Sequence, residues 1–293
     1  MYTLLGGLLL DAPRLPILNE TIRALHFHVT MWFGMILMLL VAAWYSVKYL
    51  RSNDLKHDDI ALEFTNAAIL FGVLGIVTGM LWAKFTWGDY WSGDPKQNAS
   101  AIGLLMYFAY LVLRGSLSDA QQRGRIAAVY NLFAFAAFIP LIFVLPRLTD
   151  SLHPGNGGNP GFNAYDLDSK LRLVFYPAIV AWTLLGTWIA TVRVRIRRLE
   201  REVEENRIND WSMKKFVLFL LMSMSLVAVQ AQEKIAVTAA DYSNNEVEMA
   251  DLMRSEGKIY VLVGVIVLIF IGLLAYVIQT DRRVSKLEKS RTN

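Results

Sequence analysis

Seven stretches of this chain contain no Asp, Glu, Lys or Arg and are almost wholly apolar: residues 24–47, 64–83, 97–113, 126–146, 173–192, 216–232 and 259–280. About 20 apolar residues wound as a helix cross a hydrocarbon core of about 30 Å, where every backbone N–H and C=O must be paired within the segment. Charges confined to the gaps between such runs are what a bilayer demands of a chain that crosses it repeatedly. The expected fold is therefore all-α, a polytopic membrane helical bundle of about seven transmembrane helices. The runs at 97–113 and 216–232 are the shortest and draw on flanking polar residues to reach the interface. Residues 1–10 (MYTLLGGLLL) are apolar but reach across half a bilayer at most, at about 1.5 Å of rise per residue, and read as an N-terminal stub.

Orientation follows from the basic residues of the connections. Segments 48–63, 114–125, 193–215 and 281–293 carry 19 of the 29 Lys and Arg; the alternate segments 11–23, 84–96, 147–172 and 233–258 carry the other 10, with 13 of the 25 acidic residues. The first set is expected on the cytoplasmic side, which puts the N-terminus outside and the C-terminus inside. A net charge of only +4, placed in this way, offers no surface for nucleic acid. The chain has no cysteine, which excludes disulfides, thiolate-ligated zinc, iron–sulfur clusters and a covalent thioether made by this chain. Any metal must rest on His or oxygen donors.

The run from Met213-Lys214-Lys215 has the form of a signal peptide, with a basic start, an apolar core and Val229-Gln230-Ala231 as a small-residue cleavage pattern. Such a signal belongs at a chain start. Its internal position, after the charged stretch RVRIRRLEREVEENRIND, divides the chain near residue 212 into a polytopic module and a single-span module. Gly75 and Gly79, four apart in an apolar run, read as close helix packing.

The chemistry gathers on the outward side. Five aromatics fall within the ten residues from Trp82 to Trp91, interleaved with Gly88, Asp89 and, just beyond, Gly93, Asp94 and Pro95. Either an interfacial aromatic belt or a shelf for a flat hydrophobic ligand accounts for them. Of the four histidines, His26, His28 and His153 share that face, and His57 lies on the cytoplasmic side in the polar run Lys56-His57-Asp58-Asp59, where it reads as solvated. Two His donors from separate elements beside an aromatic shelf could supply both axial nitrogens of a haem iron. Because residues two apart on a helix point about 200° apart, His26 and His28 cannot both serve one iron.

Trp82 to Asp94, with Trp87-Gly88, Trp91 and Asp94, resembles the tryptophan-rich "WWD" signature of the CcmC/CcsA-type haem-handling proteins of cytochrome c maturation. Arg23 to Val29 is similar to the family's Arg-x-x-x-x-His-Val stretch and selects His28 as the first external histidine; Pro140 and Leu152-His153-Pro154-Gly155 match a second stretch and give His153. The tail, through Val247–Asp251, Ser255–Tyr260 and Lys286–Lys289, resembles the small single-span CcmD partner. The resemblance divides the chain into a haem-handling membrane domain at 1–200, with outward loops 82–98 and 147–172, a linker and signal-like helix at 201–232, and a CcmD-like module at 233–293.

What the resemblance implies is a bacterial inner-membrane protein that binds b-type haem noncovalently through His28 and His153. Trp82, Trp87, Tyr90 and Trp91 would flank the ring, Lys84, Lys96 or Arg147 would neutralise a propionate, and Asp94 would order the loop through backbone N–H groups. The haem would pass to a CcmE-like haem chaperone beside CcmA/CcmB-like ABC transporter subunits, in a transfer role rather than an enzymatic one. This sequence departs from the family pattern at Gly93, where a third Trp is common, at Lys96, near a usual Arg, and at residues 1–10, which stand in place of a first span. The competing classes are a haem synthetase, whose larger outward domain and extra membrane histidines are missing here, a multi-span transporter, and a scaffold whose Trp cluster is only interfacial.

Overall fold

The computed structural model describes residues 1–13, 18–153, 167–206 and 258–292, and among these helix is the only regular secondary structure. Seven α-helices follow one another: α1 (Tyr2–Leu9), α2 (His28–Ser52), α3 (Leu55–Trp87), α4 (Pro95–Gly115), α5 (Ala120–Phe143), α6 (Ser169–Asn206) and α7 (Lys258–Thr292). A 3-10 segment, Asn19–His26, leads into α2, and another, Leu145–Arg147, follows α5. Five segments are long and apolar enough to cross a membrane, and they contain the first five expected runs; α7 contains the run 259–280. The run 216–232, the signal-like stretch 213–232, and Val247–Asp251 of the tail lie outside the described residues.

The helices overrun their apolar stretches at both ends. Helix α3 has 33 residues, about 50 Å at 1.5 Å per residue, against about 30 Å of hydrocarbon. The turns between helices are set by local chemistry. Asp54, Asp94 and Asp119 each accept a hydrogen bond from a backbone N–H of the following first turn, at 2.9 Å, 2.8 Å and 2.7 Å. Gly88, at φ 88°, closes α3 in the left-handed region that glycine enters without strain.

Helix α3 is the most enclosed of the five spanning segments and packs against α2, α4, α5 and α6. The middle of the bundle among α2, α3, α5 and α6 is closely packed. Met35, Met38, Leu39, Ala42, Phe71 and Phe138 are all buried, and a methyl added at Gly72, Gly103 or Gly186 would press on Met35, Phe138 or Met38 at 2.9 Å or less. Leu40, Trp44, Leu70, Val77, Leu105 and Phe133 face outward, where a lipid-facing surface needs apolar groups.

The end of the bundle formed by the starts of α3 and α5 and the ends of α2, α4 and α6 is ionic. Arg114 grips Asp58 through both nitrogens, at 2.6 and 2.7 Å, Glu63 takes Arg193 and Arg197, and Asp59 takes Arg201. Asp58 and Asp59 are thus buried and paired, whereas their neighbour His57 makes an exposed bond with Ser52 Oγ. Helix α7 runs parallel to α6: Phe270 meets Trp182 edge-on at 5.7 Å, and further along Asp281, Ser285 and Glu288 all bond Arg195. Helix α1 docks on α6 and the first 3-10 segment, with Gly6 against Val174 and the guanidinium of Arg23 bonding the carbonyls of Gly7 and Leu10.

Candidate functional site

At the other end of the bundle, α2, α3, α4 and the exit of α5 leave a cavity of about 330 Å³. Its deeper wall is apolar, from Val29, Trp32, Phe33 and Ile36 on α2, Ile76 and Met80 on α3, and Ile142 and Phe143 on α5. The outer part carries His28, His153, Trp91, Lys96, Gln97 and Arg147. His28 and His153, 125 positions apart in sequence, thus line one cavity from different elements.

His28 opens α2, and its ring lies against α3. Its Nδ1 is 2.9 Å from the Gly75 carbonyl oxygen, which can only accept, so this nitrogen carries the proton. The Thr78 hydroxyl lies 3.3 Å from the same nitrogen. Trp82 and Trp32 stand edge-on to the ring, with centroids at 5.8 and 6.5 Å. Trp82 is anchored in turn by its indole N–H donating to Thr21 Oγ1 at 3.1 Å.

His153 is held by a carboxylate. Asp94, only 4% exposed, accepts the His153 Nδ1–H at 2.8 Å, the Leu152 N–H at 2.6 Å and the Ser151 hydroxyl at 2.9 Å, and it caps α4 by accepting from the N–H groups of Lys96 and Gln97. Burial opposes the charge on Asp94, but the hydrogen bonds from His153, Leu152 and Ser151 outweigh it and hold the carboxyl well below the usual carboxylate range. Trp87 lies edge-on to the His153 ring at 4.9 Å. In both histidines Nδ1 is engaged, and among the described residues no hydrogen-bond partner reaches either Nε2.

The Trp-rich loop is braced rather than free. Ser92 bonds Gln97 Oε1 through both N–H and hydroxyl, Trp91 donates to Asn98 at 3.1 Å, Asn98 donates to the Gly93 carbonyl at 2.9 Å, and Lys84 donates to the Gly88 carbonyl at 2.6 Å. Replacing Asp94 with Ala removes the α4 cap and three links to the 151–153 segment together. The expected cost is on the order of 3 kcal/mol, read as a lower unfolding midpoint in detergent and faster proteolysis after Arg147.

The aromatics expected to form one shelf divide their roles. Trp91 lines the cavity, Trp82 and Trp87 buttress the two histidines, and Tyr90, half exposed, lies under the Lys84 ammonium. Of the expected cations, Lys96 and Arg147 line the cavity, whereas Lys84 is spent on the end of α3. His26 is buried toward α1, with its carbonyl accepting from Trp182 at 3.2 Å, and does not line the cavity. Sequence reasoning missed Trp32 and Gln97; Trp32 was available as the residue one turn after His28 on the same face. Among the described residues, no group of three or more His, Asp or Glu could hold a bare metal ion.

Comparison with known proteins adds a family to this geometry. The family model described as heme exporter protein C matches residues 2–209, and one described as CcmD family protein matches residues 216–288. The chain is 28% identical over 147 residues to "Heme exporter protein C" of Bradyrhizobium diazoefficiens, covering 50% of this chain and 55% of that protein. It is 37% identical over 85 residues to "Cytochrome c biogenesis protein CcsA" of Synechococcus sp. (strain CC9605), and 34% identical over 93 residues to the protein of the same name from Pelargonium hortorum. Those matches cover 29% and 31% of this chain, and 28% and 29% of the relatives' own length.

Proposed function

The chain belongs to the heme exporter protein C family, and on that premise we propose that it holds b-type haem noncovalently at the outer face of the cytoplasmic membrane and hands it to a haem chaperone for cytochrome c maturation. The observation that carries this reading is the pair His28 and His153 on one cavity, each with Nδ1 committed to an acceptor and Nε2 left to coordinate. Iron-ligating histidines are held in this way, because an acceptor on the far nitrogen fixes the tautomer and turns the ring.

The surrounding residues fit the same cargo. A macrocycle brings four donors of its own, so two histidines would complete the iron, and among the described residues there is no larger ligand cluster to compete with them. The cavity lies in the range of about 300–1,000 Å³ usual for small-molecule sites. Its apolar depth suits the hydrophobic edge of a porphyrin, and Lys96 and Arg147 supply cations for two propionates. With no thiol in the chain, the cargo stays transferable. Outward orientation follows from the excess of Arg and Lys at the opposite, ionic end. The chaperone would be CcmE-like and would meet the Trp-rich loop, and CcmA/CcmB-like ABC subunits would stand beside the bundle.

The test is the absorption spectrum of the full chain purified in detergent from haem-replete cells. A low-spin, bis-His spectrum in both oxidation states is expected, and a colourless preparation would return the protein to the transporter or scaffold classes. In hemin titrations, Lys96→Gln and Arg147→Gln are each expected to weaken binding about tenfold, the scale of one charge-assisted hydrogen bond, with the low-spin spectrum kept at saturation.

A further inference from the structure

Helices α2 and α3 interlock at two rungs. The imidazole of His28 occupies the space where a Cβ at Gly79 would stand, 2.6 Å from its Cε1 and 3.1 Å from its Nδ1. One turn along, the indole of Trp32 occupies the space over Gly75, 2.8 Å from the position a Cβ would take. The Gly75 carbonyl also accepts the His28 Nδ1–H. A packing role for the two glycines would bring two backbones together; here they admit one ring each, and both rings line the cavity.

We propose that Gly75 and Gly79 are positioning residues for His28, a notch in α3 that sets the plane and the tautomer of the imidazole so that Nε2 is presented to the cavity. This rests on the haem-binding reading above. With any side chain at 79 the ring must rotate or withdraw, since 2.6 Å is far inside van der Waals contact and all three atoms that the Cβ would meet belong to the His28 imidazole itself. Rotation breaks the bond to Gly75 and releases the tautomer, with Thr78 Oγ1 the nearest alternative partner. Gly72, on the same helix, is the contrast: its neighbours are the flexible ends of Met35 and Leu104, away from the histidine.

The experiment compares wild type, Gly79→Ala, Gly75→Ala and Gly72→Ala as full chains in detergent, each titrated with hemin. Wild type and Gly72→Ala are expected to give the same low-spin spectrum. Gly79→Ala is expected to bind hemin 10- to 100-fold more weakly, the range for losing an outer-shell partner of a metal-bound histidine, and to shift toward a high-spin spectrum that millimolar imidazole returns to low spin. Gly75→Ala displaces Trp32 first and is expected to fall between. A Gly79→Ala spectrum and affinity equal to wild type overturns the assignment, whereas a wild type without a low-spin spectrum overturns the haem reading beneath it. Helix-propensity gain on Gly→Ala, about 1 kcal/mol, favours folding of the variants. If they nevertheless fail to fold, ¹⁵N-histidine NMR of the haem-free wild type decides, with His28→Gln for assignment: a proton on Nδ1 of His28 supports the notch, and a proton on Nε2 overturns it.

Discussion

His28→Ala and His153→Ala are each expected to abolish the low-spin haem spectrum and to weaken hemin binding by more than about 100-fold, because each removes a donor outright where loss of its outer-shell partner alone costs 10- to 100-fold. The two should differ in what else they disturb. His28 sits in a rigid helix–helix seam, so its removal leaves a cavity between α2 and α3 beside Trp32 and Trp82. His153 hangs on Asp94, and its loss removes one of the three links that hold the 151–153 segment, loosening it while the helices stand. Exogenous imidazole should therefore rescue the spectrum of either variant, whereas protease sensitivity should rise only for His153→Ala. His57→Ala, at the opposite end of the bundle, is the control expected to change neither. His26→Ala is expected to keep the spectrum and to lower the unfolding midpoint, because that ring is buried near α1. Wild-type spectra in both ligand variants would end the bis-His proposal.

The second large effect lies at the ionic end. Arg114→Met leaves the carboxylate of Asp58, 3% exposed, without its bidentate partner. Breaking a buried pair in this way costs about 3–5 kcal/mol, because the remaining charge stays desolvated. The variant should unfold at a markedly lower temperature in detergent and accumulate poorly in membranes. The double variant Asp58→Leu with Arg114→Met, which replaces the pair by apolar groups, should recover most of that loss. A single variant as stable as wild type would mean that water reaches Asp58.

The bundle was legible because a bilayer punishes unpaired charge, so charge-free runs mark its helices. The same rule misplaced their ends. Taking Glu63 as the boundary of a run starting at 64 placed Asp58 and Asp59 in a cytoplasmic connection, whereas α3 starts at Leu55 and buries all three. Their partners, Arg114, Arg193, Arg197 and Arg201, stand 56 to 142 positions away, and no local pattern records that pairing.

In the site, helical geometry allowed only one of His26 and His28 to serve an iron, the family resemblance selected His28, and the role of Asp94 was half visible. An Asp before a Pro announces a helix cap, but its hold on Ser151, Leu152 and His153 depends on how α5 delivers the following loop. Counting aromatics left a belt and a shelf both open, and whether an indole faces a ligand or a histidine depends on χ angles that composition does not encode. The Gly75/Gly79 spacing reads from sequence as close helix packing; which ring of α2 fills the space over each glycine, Trp32 at Gly75 and His28 at Gly79, is visible only in the fold.

Among the described residues, Met35, Met38, Phe71 and Phe138 are buried between the cavity and the Arg-rich end, an arrangement that suits a cup rather than a tunnel. A cup has one brim. On the proposed function, whatever brings a molecule to it and whatever takes the molecule away would use the same doorway in turn, so giver and receiver would compete for a single landing, and the order of their visits would govern traffic as much as the strength of the grip inside.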